Sequence, residues 1–333
     1  MSQSPLALWG ESWAFPLGFL MAAFGTVLVV GRIIPELRKL QLGQRVRDDG
    51  PRRHLTKTGT PTMGGSGMIV VLAFVTLVFL PRHPAIVAGT MTTVILGILG
   101  FFDDYLKISR NRPLGLKGRV KIIVELACGA ALAAYFAYGL GRGTEVLGPR
   151  AWFVWDLGAF YPVFGALVMA GTANAVNLTD GLDGLAAGAV ALVTPVFILA
   201  AMATGDVAVA LWGVILLGVG VGFLWHNFHP ATVFMGDTGA LALGGALAFL
   251  AMYTGTGLIL VIAGGLFVVE TVSVMAQVIY FHLTGGRRLL KMAPLHHHLE
   301  LSGLSETATV LVLWAVAGLC SLVGVWALGG ILL

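Results

Sequence analysis

The sequence has few charged residues and few cysteines, and both shortages exclude classes of protein. Charged side chains make up 11% of the 333 residues, against about 25% in an average soluble chain. A soluble surface or a disordered chain needs far more charge than this. Two cysteines are too few for a disulfide scaffold. No Lys or Arg precedes Arg32, so we do not expect a cleavable signal peptide.

Apolar residues and glycine are abundant instead. Hydrophobic residues make up 57% of the chain, which also holds 46 glycines. A membrane helix needs about 20 apolar residues, and ten such runs are present: 14–34, 64–80, 85–102, 121–140, 157–175, 185–204, 207–225, 238–254, 258–281 and 310–333. We therefore predict an all-α polytopic membrane protein with about ten transmembrane helices. Residues 1–333 would form a single integral membrane domain, since no length remains for a soluble one.

The distribution of Lys and Arg predicts which ends of the helices face the cytoplasm. Seventeen of the 20 basic residues lie in the loops after the first, third and ninth runs. The loops on the other side hold only Arg82, Arg142 and Arg150. Because basic residues concentrate on the cytoplasmic side, we expect those three loops to be cytoplasmic and both termini to be periplasmic.

Five acidic residues fall at helix ends on that same predicted cytoplasmic face: Asp103, Asp104, Asp180, Asp183 and Asp237. Carboxylates at membrane depth cost several kcal/mol each unless they are paired, solvated or bound to a cation. Two of the three loops that carry them contain no Lys or Arg. We therefore expect something positively charged to lie among these acids.

Adjacent carboxylates end the third run in the segment FFDDYLK, residues 101–107. Mg²⁺ binds proteins through one or two carboxylates together with substrate phosphates, so Asp103 and Asp104 are candidate cation ligands. The alternative is a hydrophilic stop at the membrane surface. Such stops use Lys, Arg, Trp or Tyr more often than acids.

Asn177, Asp180 and Asp183 are spaced by three in the segment NAVNLTDGLDGLA, residues 174–186. The glycines favour a loop that opens into a helix, with Thr179 or Asp180 as the cap. Turn and capping chemistry alone accounts for one Asp, but not for two Asn and two Asp without a nearby base. The spacing differs from that of an EF-hand loop.

Asn227, Phe234 and Asp237 share a polar stretch before the eighth run. An aromatic ring three residues before an acid could stack against a planar base, or it could simply anchor the chain at the membrane interface. Asp237 could likewise do no more than cap the eighth helix. Capping leaves unexplained why it faces two other acidic loops.

Three consecutive histidines, His296, His297 and His298, follow the ninth run. Zinc is a poor explanation, because neighbouring histidines rarely all reach one tetrahedral ion. Imidazoles that donate hydrogen bonds to phosphate oxygens are a better one. A plain surface tract is the remaining alternative.

The segment KTGTPTMGG, residues 57–65, contains Lys57, Thr62 and flexible glycines before a helix start. Such a segment could hold a phosphate through its N–H groups, although alone it is better explained as a turn with a cap. No nucleotide-binding P-loop or dinucleotide fingerprint is present. Glu270, inside the ninth run, is either functional or a packed hydrogen-bonding group, and we leave it unassigned.

Together, these five motifs resemble those of the polyprenyl-phosphate N-acetylhexosamine-1-phosphate transferases. The resemblance extends in order from residue 57 to residue 300. The aspartate motifs are shared across that superfamily. KTGTPTMGG and PLHHHLE are more particular to the phospho-N-acetylmuramoyl-pentapeptide transferase branch.

The resemblance implies a transferase of peptidoglycan synthesis in the bacterial inner membrane. It implies transfer of phospho-N-acetylmuramoyl-pentapeptide from its UDP carrier to undecaprenyl phosphate, which yields lipid I and UMP and requires Mg²⁺. The implied partners are UDP-N-acetylmuramoyl-pentapeptide, undecaprenyl phosphate and membrane lipid, with no nucleic acid, and homodimers are usual in the family. The ninth run, with Gly264 and Gly265, resembles the family's bent helix beside a lipid groove.

The resemblance also implies roles for individual residues. Mg²⁺ would bind Asp237 with Asp103 and Asp104 close by, and these three are the expected catalytic residues. Asp103 would orient the lipid phosphate or accept its proton. The expected substrate-binding residues are Lys57, Thr62, Lys121, Asn177, Asp180, Asp183, Asn227, Phe234, His296, His297 and His298, with Phe234 against the uracil.

Two other functions are compatible with parts of the sequence. A sister transferase that uses UDP-N-acetylglucosamine would share the aspartate motifs. A membrane transporter would place its ionisable residues near mid-membrane and often contain inverted repeats. Here the acids lie at helix ends, and no internal repeat is evident, so a transporter is the weaker hypothesis.

Overall fold

A computed structural model describes residues 11–39, 59–80, 82–109 and 115–330. These residues form twelve α-helices: α1 (Glu11–Lys39), α2 (Gly65–Phe79), α3 (Pro84–Ser109), α4 (Gly118–Ala134), α5 (Tyr161–Thr179), α6 (Leu185–Ala203), α7 (Val207–Asn227), α8 (Gly236–Tyr253), α9 (Gly257–Ala263), α10 (Gly265–Leu283), α11 (Leu295–Leu301) and α12 (Glu306–Leu328). A π-helical turn, Tyr135–Gly139, ends α4.

Within the described residues, nine helices are long and apolar enough to cross a membrane. α2 is also apolar but has 15 residues, which is shorter than a full span requires. The prediction of an all-α polytopic membrane protein with about ten spans is thus confirmed. Which side of the membrane each terminus occupies stays a prediction.

Three local features differ from the predicted spans. α3 continues past residue 102 to Ser109, so Asp103, Asp104 and Lys107 lie on a helix rather than after it. The predicted span 258–281 is two helices, α9 and α10, which meet at Gly264. A two-stranded antiparallel hairpin, β1 (Glu145–Leu147) with β2 (Val154–Asp156), joins α4 to α5, and Glu145 pairs with Asp156.

α8 lies at the centre of the helix bundle. Every residue from Thr238 to Met252 is buried, and α8 packs against α2, α3, α5 and α6. Its sequence is rich in Gly and Ala, which lets neighbouring backbones approach closely. At Gly244, an added Cβ would lie 2.6 Å from the Cα of Ala173 in α5. α8 therefore fixes the positions of the helices that carry the aspartate motifs.

The bundle has two polar ends. At the first, which we call the motif end, α3 and α5 end and α6, α8 and α12 begin. At the second, the opposite end, α3 and α7 begin and α6 and α8 end. All the motif residues that the structure describes lie on helices or loops of the motif end.

Candidate active site

Asp103, Asp104 and Asp237 form a carboxylate cluster at the motif end. Each offers an oxygen that lies within 4.8 Å of the oxygens of the other two. Asp103 and Asp104 are buried in the last turns of α3, and Asp237 lies in the first turn of α8. Residues that are more than 130 positions apart in the chain thus share one site.

A close contact between α3 and α8 brings these carboxylates together. A Cβ on Gly100 would lie 2.2 Å from the carbonyl oxygen of Asp237, so only glycine permits this approach. Asp104 then accepts hydrogen bonds from the Asp237 amide at 3.2 Å and from the Thr238 amide at 3.0 Å. The Thr238 hydroxyl donates to it at 2.7 Å. Asp104 therefore caps α8, a role that sequence reasoning considered only for Asp237 itself.

Two lysines supply the positive charge expected among the acids. Lys107 Nζ lies 2.6 Å from Asp103 Oδ2 and 3.1 Å from Asp237 Oδ2. Lys121 Nζ, from α4, lies 2.6 Å from Asp237 Oδ2 and 3.8 Å from Asp103 Oδ2. Both ammonium groups bridge the same two carboxylates. Asp103 and Lys107 are four residues apart on α3, where helix geometry places them on one face.

Gly115 and Leu116, which precede α4, lie against this cluster. Leu116 donates its amide to Asp103 Oδ1 at 2.8 Å. Gly115 has a φ of 55°, and a Cβ there would lie 2.6 Å from the same oxygen. Asp103 is thus held on one oxygen by the backbone and on the other by the lysines.

Asp180 follows the end of α5 and lies near the carboxylate cluster. Burial, and then the charges of Asp237, Asp104 and Asp183, raise the pKa of Asp180 to about 8. The prediction that Thr179 or Asp180 caps the next helix is wrong. α6 begins after Gly184, whose φ of 81° makes the turn without a side-chain cap. Asp180 is therefore free of a capping role in α6.

Asp183 belongs to a second polar group with His229 and Glu306. Asp183 Oδ2 accepts hydrogen bonds from His229 Nδ1 and from the Ala231 amide, both at 3.0 Å. The Asp183 amide donates to Glu306 Oε1 at 3.0 Å. The ligand atoms of the three side chains lie within 4.8 Å of one another. This group joins the α5–α6 turn to the α7–α8 loop and the start of α12.

Asn227, Phe234, Thr62 and Asn177 line the same end but differ in their contacts. The buried Asn227 accepts from the Gly184 amide and donates to the Val233 carbonyl, both at 3.0 Å. The Phe234 amide donates to the Pro61 carbonyl at 2.8 Å. Thr62 is buried beside Gly236, and Asn177 lies in the last turn of α5. Asn227 therefore joins the α5–α6 turn to the α7–α8 loop.

The three histidines lie on or next to α11, and each contacts a different group. His296 is buried, and its Nδ1 lies 3.1 Å from Glu270 Oε2. His297 Nδ1 lies 3.3 Å from Glu300 Oε2. His298 Nδ1 accepts from the Lys291 amide at 3.1 Å. The rings of His296 and His297 also contact each other, with their centroids 4.2 Å apart.

Lys57 lies outside the described residues. Sequence reasoning missed Lys107, Glu125, His229 and Glu306 as members of the site. Glu125 is a charged residue inside an apolar run, and this was the sequence signal that could have identified it. In the structure it is fully buried in α4 and accepts a hydrogen bond from Asn174. His229 and Glu306 gave no comparable signal, because only tertiary contacts join them to Asp183.

The carboxylate cluster suits a hard cation by its chemistry. Its donors are carboxylate oxygens, the ligands that Mg²⁺ prefers. Asp103 Oδ2 lies within ion-pair distance of the ammonium groups of both lysines and has no neutral hydrogen-bond donor in the described part of the chain. An acidic group that could bind a metal ion is therefore present at the motif end.

Comparison with known proteins gives consistent matches along the chain. Residues 86–255 match the family described as glycosyl transferase family 4. The phospho-N-acetylmuramoyl-pentapeptide-transferase of Moorella thermoacetica is 45% identical over 309 residues, covering 93% of this chain and 97% of the relative. That of Desulforudis audaxviator is 46% identical over 324 residues, covering 93% and 97%. That of Desulforamulus reducens is 45% identical over 310 residues, covering 91% and 92%.

Proposed function

This chain belongs to glycosyl transferase family 4 and to the phospho-N-acetylmuramoyl-pentapeptide-transferases within it, and from that premise we propose its reaction. It transfers phospho-N-acetylmuramoyl-pentapeptide from a UDP carrier to undecaprenyl phosphate, which yields lipid I and UMP in peptidoglycan synthesis. It is a multi-pass protein of the bacterial inner membrane, as its apolar helices and bacterial relatives indicate.

One observation carries this proposal: Asp103, Asp104 and Asp237 meet around Lys107 and Lys121 at the motif end. Phosphoryl transfer depends mainly on positioning and on charge stabilisation. A nucleotide sugar from the cytoplasm and a lipid phosphate in the membrane can meet only at the interface between the two. We place the motif end at the cytoplasmic face because the basic loops flank it.

The proposed roles of the cluster residues follow from their charges. When ionised, the three carboxylates exceed the two ammonium groups by one negative charge. The lysines hold Asp103 and Asp237 in place, and their remaining donor capacity is available to phosphate oxygens. Asp103 orients the lipid phosphate for direct attack on the diphosphate. Its part as a base is modest, because a phosphate monoester with a second pKa of about 6 is mostly dianionic at neutral pH.

The metal that fits this cluster is Mg²⁺. Asp237, Asp103 and Asp104 would hold it, with Asp104 also bonded to the start of α8. When bound, Mg²⁺ neutralises negative charge on the diphosphate as UMP leaves. Together with the two lysines it would leave the site with a net positive charge, which suits a diphosphate substrate.

The remaining motif residues form the nucleotide-sugar side of the proposed site. Four of these residues lie in or beside the α5–α6 turn: Asn177, Asp180, Asp183 and Asn227. Phe234, three residues before Asp237, would stack on uracil. His296, His297 and His298 approach from α11 toward phosphate or sugar. Lys57 and Thr62 contribute from the segment before α2. The support is the match of these residues to the family motifs and, for all of them but Lys57, their position at one end of the bundle.

The decisive experiment measures UMP release by the purified protein in detergent. We expect release only when UDP-N-acetylmuramoyl-pentapeptide, undecaprenyl phosphate and Mg²⁺ are all present, and we expect chelation by EDTA to abolish it reversibly. Replacing the nucleotide with UDP-N-acetylglucosamine should reduce turnover by about a hundredfold or more, because the peptide-bearing sugar supplies the binding contacts. Equal or faster turnover of UDP-N-acetylglucosamine would instead identify the sister transferase.

A transporter would give a different result in the same preparation. Substrate flux into proteoliposomes without UMP production would overturn the transferase assignment. We further propose that the protein is a homodimer, as the family resemblance implies. Analytical ultracentrifugation in detergent tests this, and a monomer that retains full turnover would refute it.

A further inference from the structure

Glu270 is buried in a helix that otherwise faces outward. In the described residues of α10, only Leu266, Phe267 and Glu270 are buried, and Glu270 has no exposed surface. Farther along, α10 presents large apolar side chains such as Val272 and Met275. A carboxyl group in this position is costly unless a partner satisfies it. Its partner therefore indicates why it is there.

That partner is His296, the first residue of the histidine triplet. Glu270 Oε2 lies 3.1 Å from His296 Nδ1 and accepts the His296 amide at 3.5 Å. An ionised carboxylate can only accept hydrogen bonds, so when Glu270 is ionised, the imidazole carries a proton on Nδ1. Carboxylates hold imidazoles in one orientation and tautomer in this way, and they make the ring more basic.

The other nitrogen of the ring faces the proposed active site. His296 Nε2 is buried and has no hydrogen-bond partner in the described part of the chain. A Cβ on Gly181 would lie 2.2 Å from it, so the ring edge packs directly on the backbone of the α5–α6 turn. Gly181 is flanked by Asp180, next to the carboxylate cluster. This buried ring nitrogen of His296 thus points into the turn that we assign to the nucleotide sugar.

We propose that Glu270 is a positioning residue for the transfer reaction and acts through His296. It holds the imidazole with Nδ1 protonated and with Nε2 directed at the α5–α6 turn. In the imidazolium form, which takes its second proton from solvent, the Nε2–H group donates a hydrogen bond to an anionic group of the substrate. Glu270 thereby links the outward-facing helix α10 to the loop that holds the nucleotide sugar. This inference rests on the proposed function.

The test is a double-mutant cycle on kcat and KM, measured as UMP release. We expect Glu270→Gln to lower kcat about tenfold or more and to change KM for the UDP-sugar by less than about threefold, because an amide no longer fixes the tautomer. In a His296→Gln background, Glu270→Gln should lower kcat by less than about twofold further. Glu270→Asp, which keeps the carboxylate, should recover part of the lost kcat.

A matched control separates positioning from loop anchoring. Gln277 lies two turns farther along α10 and accepts the amides of Leu289 and Leu290 at 3.0 and 2.8 Å. Gln277→Ala removes an anchor of the same loop without touching a histidine. Its effect on kcat should therefore multiply with that of His296→Gln, whereas the effect of Glu270→Gln should not.

Failure of the inference differs from failure of the proposed function. If the wild-type protein releases no UMP from the two substrates, the proposed function is wrong. If the wild-type protein turns over and Glu270→Gln keeps its kcat, the positioning role is refuted. The positioning role is also refuted if the fold-reduction in kcat of the double variant equals the product of the fold-reductions of Glu270→Gln and His296→Gln. If Glu270→Gln fails to fold, Glu270→Asp in the two backgrounds decides the question.

Discussion

Each end of the bundle carries a partly buried carboxylate, and the two carboxylates differ in how many hydrogen-bond donors the fold supplies to them. At the opposite end, Asp206 Oδ1 accepts the Val209 amide at 3.0 Å, and Oδ2 accepts the Tyr253 hydroxyl at 2.6 Å. His83 Nε2 lies 3.4 Å from the same oxygen. Burial alone would raise the pKa of Asp206, but these donors lower it to about 2. Both of its oxygens are thus satisfied by the fold.

At the motif end, burial and neighbouring carboxylates raise the pKa of Asp180 to about 8. The charges of Asp104 and Asp237 contribute to this, because the fold gathers more carboxylates than it supplies with donors. A carboxylate that the fold satisfies completely is structural, whereas a group of poorly satisfied ones suits a ligand. A large cavity does not mark the proposed active site. A cavity of about 620 Å³ lies at Asp206, at the opposite end and away from every sequence motif.

The largest expected effect comes from removing a charge at the motif end. Asp237→Asn should lower UMP release about a hundredfold or more, because it removes a central electrostatic group. The folded fraction, checked by size-exclusion chromatography and thermal unfolding, should change little. Asp206→Ala is the matched control, and its rate of UMP release per folded molecule should equal that of the wild-type protein. A loss of only a few-fold for Asp237→Asn would refute the catalytic assignment.

Separating α3 from α8 should have the next largest effect. In Gly100→Ala, the new Cβ would meet the Asp237 carbonyl, which lies 2.2 Å from its position. Overpacking of this kind costs about 1–3 kcal/mol, and we expect UMP release to fall about tenfold because small misplacements of reacting groups are costly. Gly171→Ala in α5 is the control, since no atom lies within 4 Å of its added Cβ. An unchanged rate for Gly100→Ala would show that this contact does not position the carboxylates.

Asp206→Ala tests the opposite end by itself. It removes the hydrogen bond that caps α7 and leaves the Tyr253 hydroxyl without its acceptor. We expect the free energy of unfolding to fall by about 1–3 kcal/mol, measured by denaturant or thermal unfolding in detergent. Unchanged stability would mean that the satisfied carboxylate contributes nothing, and the contrast between the ends would fail.

The smallest expected effect is on the pH dependence of folding stability, to which Asp206 and Asp180 should contribute with opposite signs. The folded-state pKa of Asp206 is lowered to about 2, so its contribution to stability is lost as pH falls from about 4 to about 2. The folded-state pKa of Asp180 is raised to about 8, so its contribution falls as pH rises from about 4 to about 8. The Tm of Asp180→Asn should therefore increase relative to that of the wild-type protein as pH rises, by on the order of a few degrees.

These pH comparisons are made in EDTA, so that no divalent ion shifts the titration. Asp206→Ala should lose less stability than the wild-type protein when the pH falls from 4 to 2. Tm differences that stay constant with pH for both variants would contradict the assigned pKa directions.

The helices were predictable because the membrane imposes a length of apolar sequence that is visible locally. The same reasoning failed where one residue decides a local geometry. It ended α3 before Asp103, although the helix continues to Ser109. Two polar residues do not end a helix. The i, i+4 spacing of Asp103 and Lys107 was present in the sequence as a sign of that continuation. The apolar run 258–281 likewise did not show that it contains two helices, and only the family resemblance implied the bend at Gly264, where α9 and α10 meet.

The site was predictable in its residue types but not in its pairings. Asp, Asn, His and Lys in these motifs indicated phosphate and cation chemistry, since each side chain carries its own donors, acceptors and charge. That Asp104 caps α8 and that Lys107 and Lys121 share two carboxylates could not be read from the chain. Those contacts depend on the close approach at Gly100.

The sequence by itself determined that this protein lies in a membrane, where its apolar segments fall and which chemical groups it can offer to a ligand. These follow from composition and from runs of neighbouring residues. Only the tertiary structure decided which charges meet. The Asp104 bonds to α8 join residues 133 and 134 positions apart, and the Lys121–Asp237 contact joins residues 116 positions apart. Such distances are closed by helix packing, and no local pattern encodes that packing.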